Sequence, residues 1–450
     1  RLTFSKTRPL PQHLNVTNSF IRLIEDSAVT EAKRAEKEIM SGNWRGPLHG
    51  VPFAIKDLID AAGFPTTAGS RVWQDFVPQE DATVVKNLKR SGAILVGKLN
   101  MHELAFGITS RNPHFGNTLN PWDVSASCGG SSSGSAAALA AGFVPLTVGT
   151  DTGGSIRIPS ALCGVAGLKP TYGLVSRKGV LPLAWSLDHV GPMARQAGDI
   201  AIALGAMTRS GPVEKGSAGG VQTDDMDLRG GKFKRLVIGI PTSFFYENLR
   251  DDIRQSVLKA VDNMKSMGAR VQEIQIPEIG AADRAAFTIL FSEAAACLET
   301  HARKWPHAVG ENVMDNVRLG MTIPATRYIQ ALRVRRKIID DLKSVFAGVD
   351  ILMVPATMVD AHPMDAETVS LGGGVTVDVR TAMTRFTRFF NLTGYPVLCL
   401  PCGLSSRNLP VGMQLVGAAF QDKRVLDIGC AYQKAFPLET PVPDLAALRH

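Results

Sequence analysis

Apolar positions recur along the chain at two spacings, and the switches between them outline its elements. Phe20, Ile21, Ile24, Ala28, Ala32, Ala35 and Ile39 fall at near-helical intervals with charge between them, and Gly42 follows, which predicts a surface helix over 19–41. Over 50–57 the pattern alternates: Val51, Phe53 and Ile55 stand between smaller residues, as in a buried strand ending at Lys56 and Asp57. Asp81 is placed to cap a helix over 82–91 that stops at Gly92, and Ala93 to Val96 is a strand. Further on, strands are expected at 143–148, 235–241, 271–276, 350–355, 397–401 and 412–417. Helices are expected at 199–207, 251–267 and 422–436, and over most of 281–347. Strand and helix alternating in this way argue for an α/β fold with a largely parallel or mixed sheet.

Two clusters of glycine and small hydroxyl residues interrupt this alternation. Gly129 to Ser135 runs straight into Ala136 to Ala141, a strong helix former, so the first turn is expected at a helix N-terminus. Gly149 to Ser155 follows the apolar run 143–148 and precedes Ile156-Arg157-Ile158-Pro159. Such turns let backbone amides converge on a concavity, as is needed to hold a developing negative charge. A flexible linker suits Gly216 to Gly220, within a Gly-, Asp- and Lys-rich excursion over 210–234, but not these two flanked clusters.

Composition narrows the field without choosing a chemistry. A chain of 450 residues, 45% hydrophobic, can bury a large core. The net charge of +8 comes from scattered Lys and Arg, and aromatic residues make up only 6% without basic interleaving, so a solvated basic surface is favoured over a nucleic-acid groove. No apolar run reaches 18 residues, and the six cysteines lack the density of a disulfide framework; a cytoplasmic chain that does not engage a membrane is expected. Cys399 and Cys402 form an isolated C-x-x-C that reads as strand rather than as a redox pair or half a zinc site. Gly92 to Lys98 imitates a phosphate-binding loop, yet Leu99 stands where a Ser or Thr should hold magnesium, and the spacer is a β run.

A serine nucleophile needs a base, and none of the nine histidines sits in a recognisable triad setting. Lysine can serve if burial keeps it neutral near pH 7. Lys56, ending an apolar strand, is either such a group or half of a surface pair with Asp57; the local pattern leaves both open. A second serine can pass the proton between base and nucleophile, since a hydroxyl both donates and accepts. Gly130-Ser-Ser132-Ser-Gly134 also satisfies the G-x-S-x-G elbow of α/β-hydrolases, with Ser132 as nucleophile. That elbow requires an apolar strand before it, whereas 119–128 is polar and contains proline.

The motifs Gly50 to Asp57, Gly97 to Glu103, Gly149 to Pro159, Cys163 to Pro170, Asn391 to Gly403 and Pro410 to Gly417, in this order, resemble the amidase signature family of Ser-Ser-Lys amidohydrolases. The resemblance implies one amidase domain over 1–450, with a signature core at about 45–210 and a C-terminal part at about 235–450. Its sheet would be mixed and mostly parallel, with helices on both faces. It implies Ser155 as nucleophile, Ser131 as bridging serine after a cis Gly130–Ser131 peptide, and Lys56 as base. The amides of Thr152, Gly153, Gly154 and Ser155 would form the oxyanion hole, supported by Ser132, Asp151 and Arg157. No metal or cofactor is implied. The substrate is expected to be a small amide, carbamate, urea or aryl amide, with a homodimer or an amidotransferase partner subunit left open. Competing readings are a glutaminase subunit, an esterase-like hydrolase using Ser132, and a non-catalytic scaffold. Segments 287–340 and 356–386, the latter with Gly372 to Gly374, are expected to line the acyl and leaving-group pockets, with Phe287, Phe291 and Tyr328 on an apolar wall.

Overall fold

The computed structural model describes residues 16–208, 233 and 235–438; the excursion expected over 210–234 therefore lies outside the described residues apart from Phe233. In chain order the strands are β1 Phe20–Leu23, β2 Pro52–Lys56, β3 Ile94–Leu99, β4 Leu119–Asn120, β5 Asp123–Ser127, β6 Leu146–Asp151, β7 Ala166–Lys169 and β8 His189–Ala194. They continue as β9 Val237–Pro241, β10 Arg270–Ile274, β11 Ile351–Pro355, β12 Thr368–Gly372, β13 Val375–Asp378, β14 Val397–Leu404 and β15 Pro410–Gly417. Eleven of them form one mixed sheet in the order β1-β3-β2-β6-β8-β7-β14-β15-β11-β9-β10. Pairing is parallel in β3-β2-β6 and in β11-β9-β10. The strands between these blocks pair antiparallel, as does β1 on the edge of β3. The β7–β14 pair joins the first part of the chain to the last, so both parts build one sheet.

Helices cover both faces, and the two-residue period of the strands shows how. On β14, Cys399 turns toward helix Arg157–Cys163, where it packs with Ala161, while Leu398 and Leu400 lie against Gly429 of helix Asp422–Ala435. Cys399 and Cys402 are free cysteines within this strand, so the strand reading of the C-x-x-C holds. The expected helical stretch 281–347 is three helices, Ile279–Lys304, Glu311–Met321 and Ala325–Phe346.

Three expectations are corrected. The helix placed over 19–41 begins only at Glu25; Phe20–Leu23 is instead an edge strand, because Phe20 covers the bare backbone of Gly97 and completes the β3 edge. Asp81 does not cap the helix Thr83–Arg90: its carboxylate accepts from the Ala62 amide and from Lys89. The segment 356–386 is not one loop, since β12 and β13 form a hairpin whose turn places Gly372, Gly373 and Gly374 at positive φ, before helix Val379–Thr384.

Candidate active site

Along β2, Phe53 and Ile55 enter the main core, whereas Ala54 turns to the other face, against the alanines of helix Ser133–Ala140. All eight residues of that helix are buried, and its small side chains let it lie close to the sheet. Lys56 shares the face of Ala54 and meets the turn at the start of this helix. Fully buried, its Nζ donates to Ser131 Oγ at 2.7 Å and to Thr150 Oγ1 at 2.8 Å. Burial pushes the ammonium down from 10.5 to about 7, with the carboxylates of Asp151 and Asp188 partly offsetting it. A surface pair of Lys56 with Asp57 is ruled out: Asp57 is itself buried and pairs instead with Lys98 at 3.2 Å.

The two glycine and hydroxyl clusters come together through short backbone and hydroxyl contacts. The Gly130–Ser131 peptide is cis, as expected, and the Ser131 carbonyl accepts from the His102 amide at 3.1 Å. Ser132 N–H donates to the Ser155 carbonyl at 3.1 Å, fastening one cluster to the other. The Ser132 hydroxyl donates to the Thr150 carbonyl and accepts from the Thr150 amide, at 3.1 and 3.3 Å. Pinned and buried in this way, Ser132 is not an elbow nucleophile, and β5 before it belongs to a separate two-stranded ribbon with β4. Among the described residues no hydrogen bond links the hydroxyls of Ser131 and Ser155. Such contacts often tighten only when substrate is bound.

Beyond Thr150 the chain turns through Thr152 to Ile156 into helix Arg157–Cys163, and the Asp151 carboxylate holds that turn. It accepts from the amides of Gly154 at 2.8 Å and Ile156 at 3.1 Å, and from the Arg157 guanidinium at 3.0 and 2.9 Å. Arg157 also donates to the Thr387 carbonyl, to Gln414 Oε1 and to Asn391 Oδ1, and Asn391 Nδ2 returns a bond to Asp151 at 2.8 Å. Burial alone would raise the Asp151 carboxyl, but Arg157 and Asn391 outweigh it and hold it below the usual carboxylate range. Of the four amides expected to form an oxyanion hole, that of Gly154 is already engaged by Asp151. Thr150, Thr387, Asn391 and Gln414 are site residues that sequence reasoning did not assign, although Asn391 and Gln414 lie inside two of the motifs that carried the resemblance.

Ser155 lies on a cavity with Thr152 and Gly153 at its floor and Phe106, Phe287, Leu290 and Phe291 on its walls. Phe287 and Phe291 stack with centroids 4.1 Å apart. Of the segments expected to line it, helix Glu311–Met321 supplies Asn316, and 356–386 supplies Arg380 and Thr384. Tyr328 is not on this wall; its hydroxyl donates to Glu293. Among the described residues no group of three or more His, Cys, Asp or Glu is arranged to hold a metal ion, and no helix is long and apolar enough to cross a membrane.

Two stability effects follow from this architecture. Arg157→Leu leaves the buried Asp151 carboxylate without its guanidinium, so it should cost about 3 to 5 kcal/mol, read as a lowered denaturant midpoint. Gly154 has φ of +133°, and an added Cβ would meet the Thr387 side chain at 2.4 Å. Gly154→Ala should therefore cost about 2 kcal/mol or more in the same measurement, and Thr387→Ser, which keeps the hydroxyl bond to the Gly153 carbonyl, should cost less.

The chain matches the family model described as Amidase over residues 9–426. It is 37% identical over 448 residues to a glutamyl-tRNA(Gln) amidotransferase component from Alkaliphilus metalliredigens, covering 94% of this chain and 89% of that one. Its fold superimposes with a TM-score of 0.88, at 34% identity and covering 94% and 92% of the two chains, on a solved structure described as a vestigial protein complex that reveals the evolutionary origins of an s-triazine catabolic enzyme. Native peptide amidase from Stenotrophomonas maltophilia superimposes with a TM-score of 0.80 at 29% identity, covering 96% and 93%.

Proposed function

The chain belongs to the amidase signature family of amide C–N hydrolases, and we propose that it cleaves a small carboxamide through an acyl-enzyme on Ser155, with Ser131 as relay and Lys56 as base. The observation that carries this reading is the 2.7 Å bond between Ser131 and a fully buried lysine whose pKa falls to about 7. Neutral Lys56 takes the proton of Ser131 while Ser131 takes that of Ser155, whose oxygen attacks the amide carbon. The resulting oxyanion accepts from the amides of Thr152, Gly153 and Ser155. The proton returns through Ser131 to the departing nitrogen, and water then releases the acid. Asp151 and Arg157 act through the turn they hold, which sets where those amides point. The whole chain, 1–450, is read as one amidase domain.

Trapping the intermediate tests this reading. With hydroxylamine present, an acyl-enzyme partitions to hydroxamate at the expense of acid, whereas direct attack of water on the amide gives acid alone. A second reading is favoured by the similarity to the glutamyl-tRNA(Gln) amidotransferase component: the same site would serve beside a partner subunit. Glutamine turnover separates the two, because an independent small-amide hydrolase should prefer another amide over glutamine by about tenfold or more in kcat/KM, while a glutaminase subunit should not.

A further inference from the structure

The charged side chains that line the Ser155 cavity are all of one sign. Two guanidiniums line it, Arg380 and Arg388, and no carboxylate does. Arg388 is already neutralised, since it pairs with Asp283 through two contacts of 2.5 and 2.9 Å. Arg380 has no such partner: among the described residues no carboxylate lies within ion-pair distance of it. Its bonded neighbour is the neutral Asn316 Oδ1 at 2.9 Å, and its guanidinium lies 5.3 Å from the centre of the Phe291 ring. Asp378, two residues before it, is occupied in capping helix Val379–Thr384 through the Thr381 amide. Asn316 is held in turn by its own bond to the Phe106 carbonyl at 3.0 Å, so the Arg380 support is fixed before any ligand arrives. A partly buried guanidinium that feels the charge of Asp378 but has no carboxylate in direct contact keeps donors that a ligand carboxylate can take up, and its planar fork suits a carboxylate in two-point contact.

Building on the acyl-enzyme reading, we propose that the substrate is an amide that also carries a carboxylate, and that Arg380 is the specificity-determining residue that binds it. The remaining walls, Phe106, Phe287, Leu290 and Phe291, suit a short hydrocarbon or planar segment between the two groups. Arg380 touches the substrate away from the reacting bond, so it selects the substrate and takes no part in proton transfer.

Succinamate and butanamide, similar in size and differing in the carboxylate, are the probes. Binding is measured by calorimetry on Ser155→Ala, where turnover cannot intervene, and kcat/KM is measured on the protein with Ser155 intact. Succinamate should bind at least about a hundredfold tighter than butanamide, Arg380→Gln should reduce that preference to about threefold or less, and Arg380→Lys should restore part of it. A purely structural role for Arg380 would weaken both probes equally and leave the preference intact, which overturns the proposal, as does a wild-type preference for butanamide. Preferential binding of succinamate without hydrolysis would leave the carboxylate site standing and count against the catalytic reading. Hydrolysis of butanamide in preference to succinamate would do the reverse.

Discussion

Ser155→Ala should lower kcat/KM by about 10⁵-fold or more, leaving only the residual rate that binding and oxyanion stabilisation supply. The same change at Ser132 should be far milder. Its hydroxyl is committed to the carbonyl and amide of Thr150, so Ser132→Ala should cost about 1 to 2 kcal/mol of stability and about tenfold in rate, by loosening the turn that carries Ser131. Ser131→Ala belongs with the first class rather than the second, because it removes the hydroxyl that Lys56 touches. Steady-state rates and denaturant midpoints on the three variants together separate chemistry from scaffolding: activity without stability is lost at 155, and stability with modest activity at 132.

Lys56→Ala should lower kcat by about a thousandfold or more and remove the acidic limb of the pH profile. The sign follows from the buried ammonium. Its pKa is lowered from 10.5 to about 7, and the base works only when neutral, so kcat/KM of the native protein should rise with pH through about 7 and then level. Lys56→Arg, which keeps the charge and cannot lose it, should be as inactive as the alanine variant. The same shift has a stability consequence of opposite use. Between pH 10.5 and about 7 the unfolded chain holds a proton that the folded Lys56 does not, so this residue costs the fold increasingly as pH falls across that window, and the cost levels below it.

Short-range features marked the turns but not the roles within them. The glycine and hydroxyl clusters were legible because helix and strand flank them too closely for a linker, whereas an ammonium closing an apolar strand fitted a buried base and a surface pair with Asp57 equally well, and the family resemblance, not the local pattern, favoured the base and assigned Ser131 and Ser155. What could not be read was the set of long-range partners. Arg157 meets Asn391 and Gln414 across 234 and 257 residues, and spacing along the chain says nothing of such contacts. Thr150 was hidden differently: as one hydroxyl among several in its cluster, only the direction of its side chain on β6 marks it as a partner of Lys56. The Gly154 amide shows the limit of a motif, since its place was legible but its occupation by Asp151 was not. The edge strand Phe20–Leu23 was masked by apolar residues that also satisfy a helical period, and pairing with β3 decided between them.

The most direct test of the Ser155 mechanism is the intact mass of the protein after exposure to a fluorophosphonate, compared among the native chain, Ser155→Ala, Ser132→Ala and Lys56→Ala. One adduct on the native chain, absent from Ser155→Ala, retained by Ser132→Ala and strongly slowed in Lys56→Ala, is the predicted result. An adduct that survives Ser155→Ala and vanishes with Ser132→Ala would move the nucleophile to the first cluster and contradict the account.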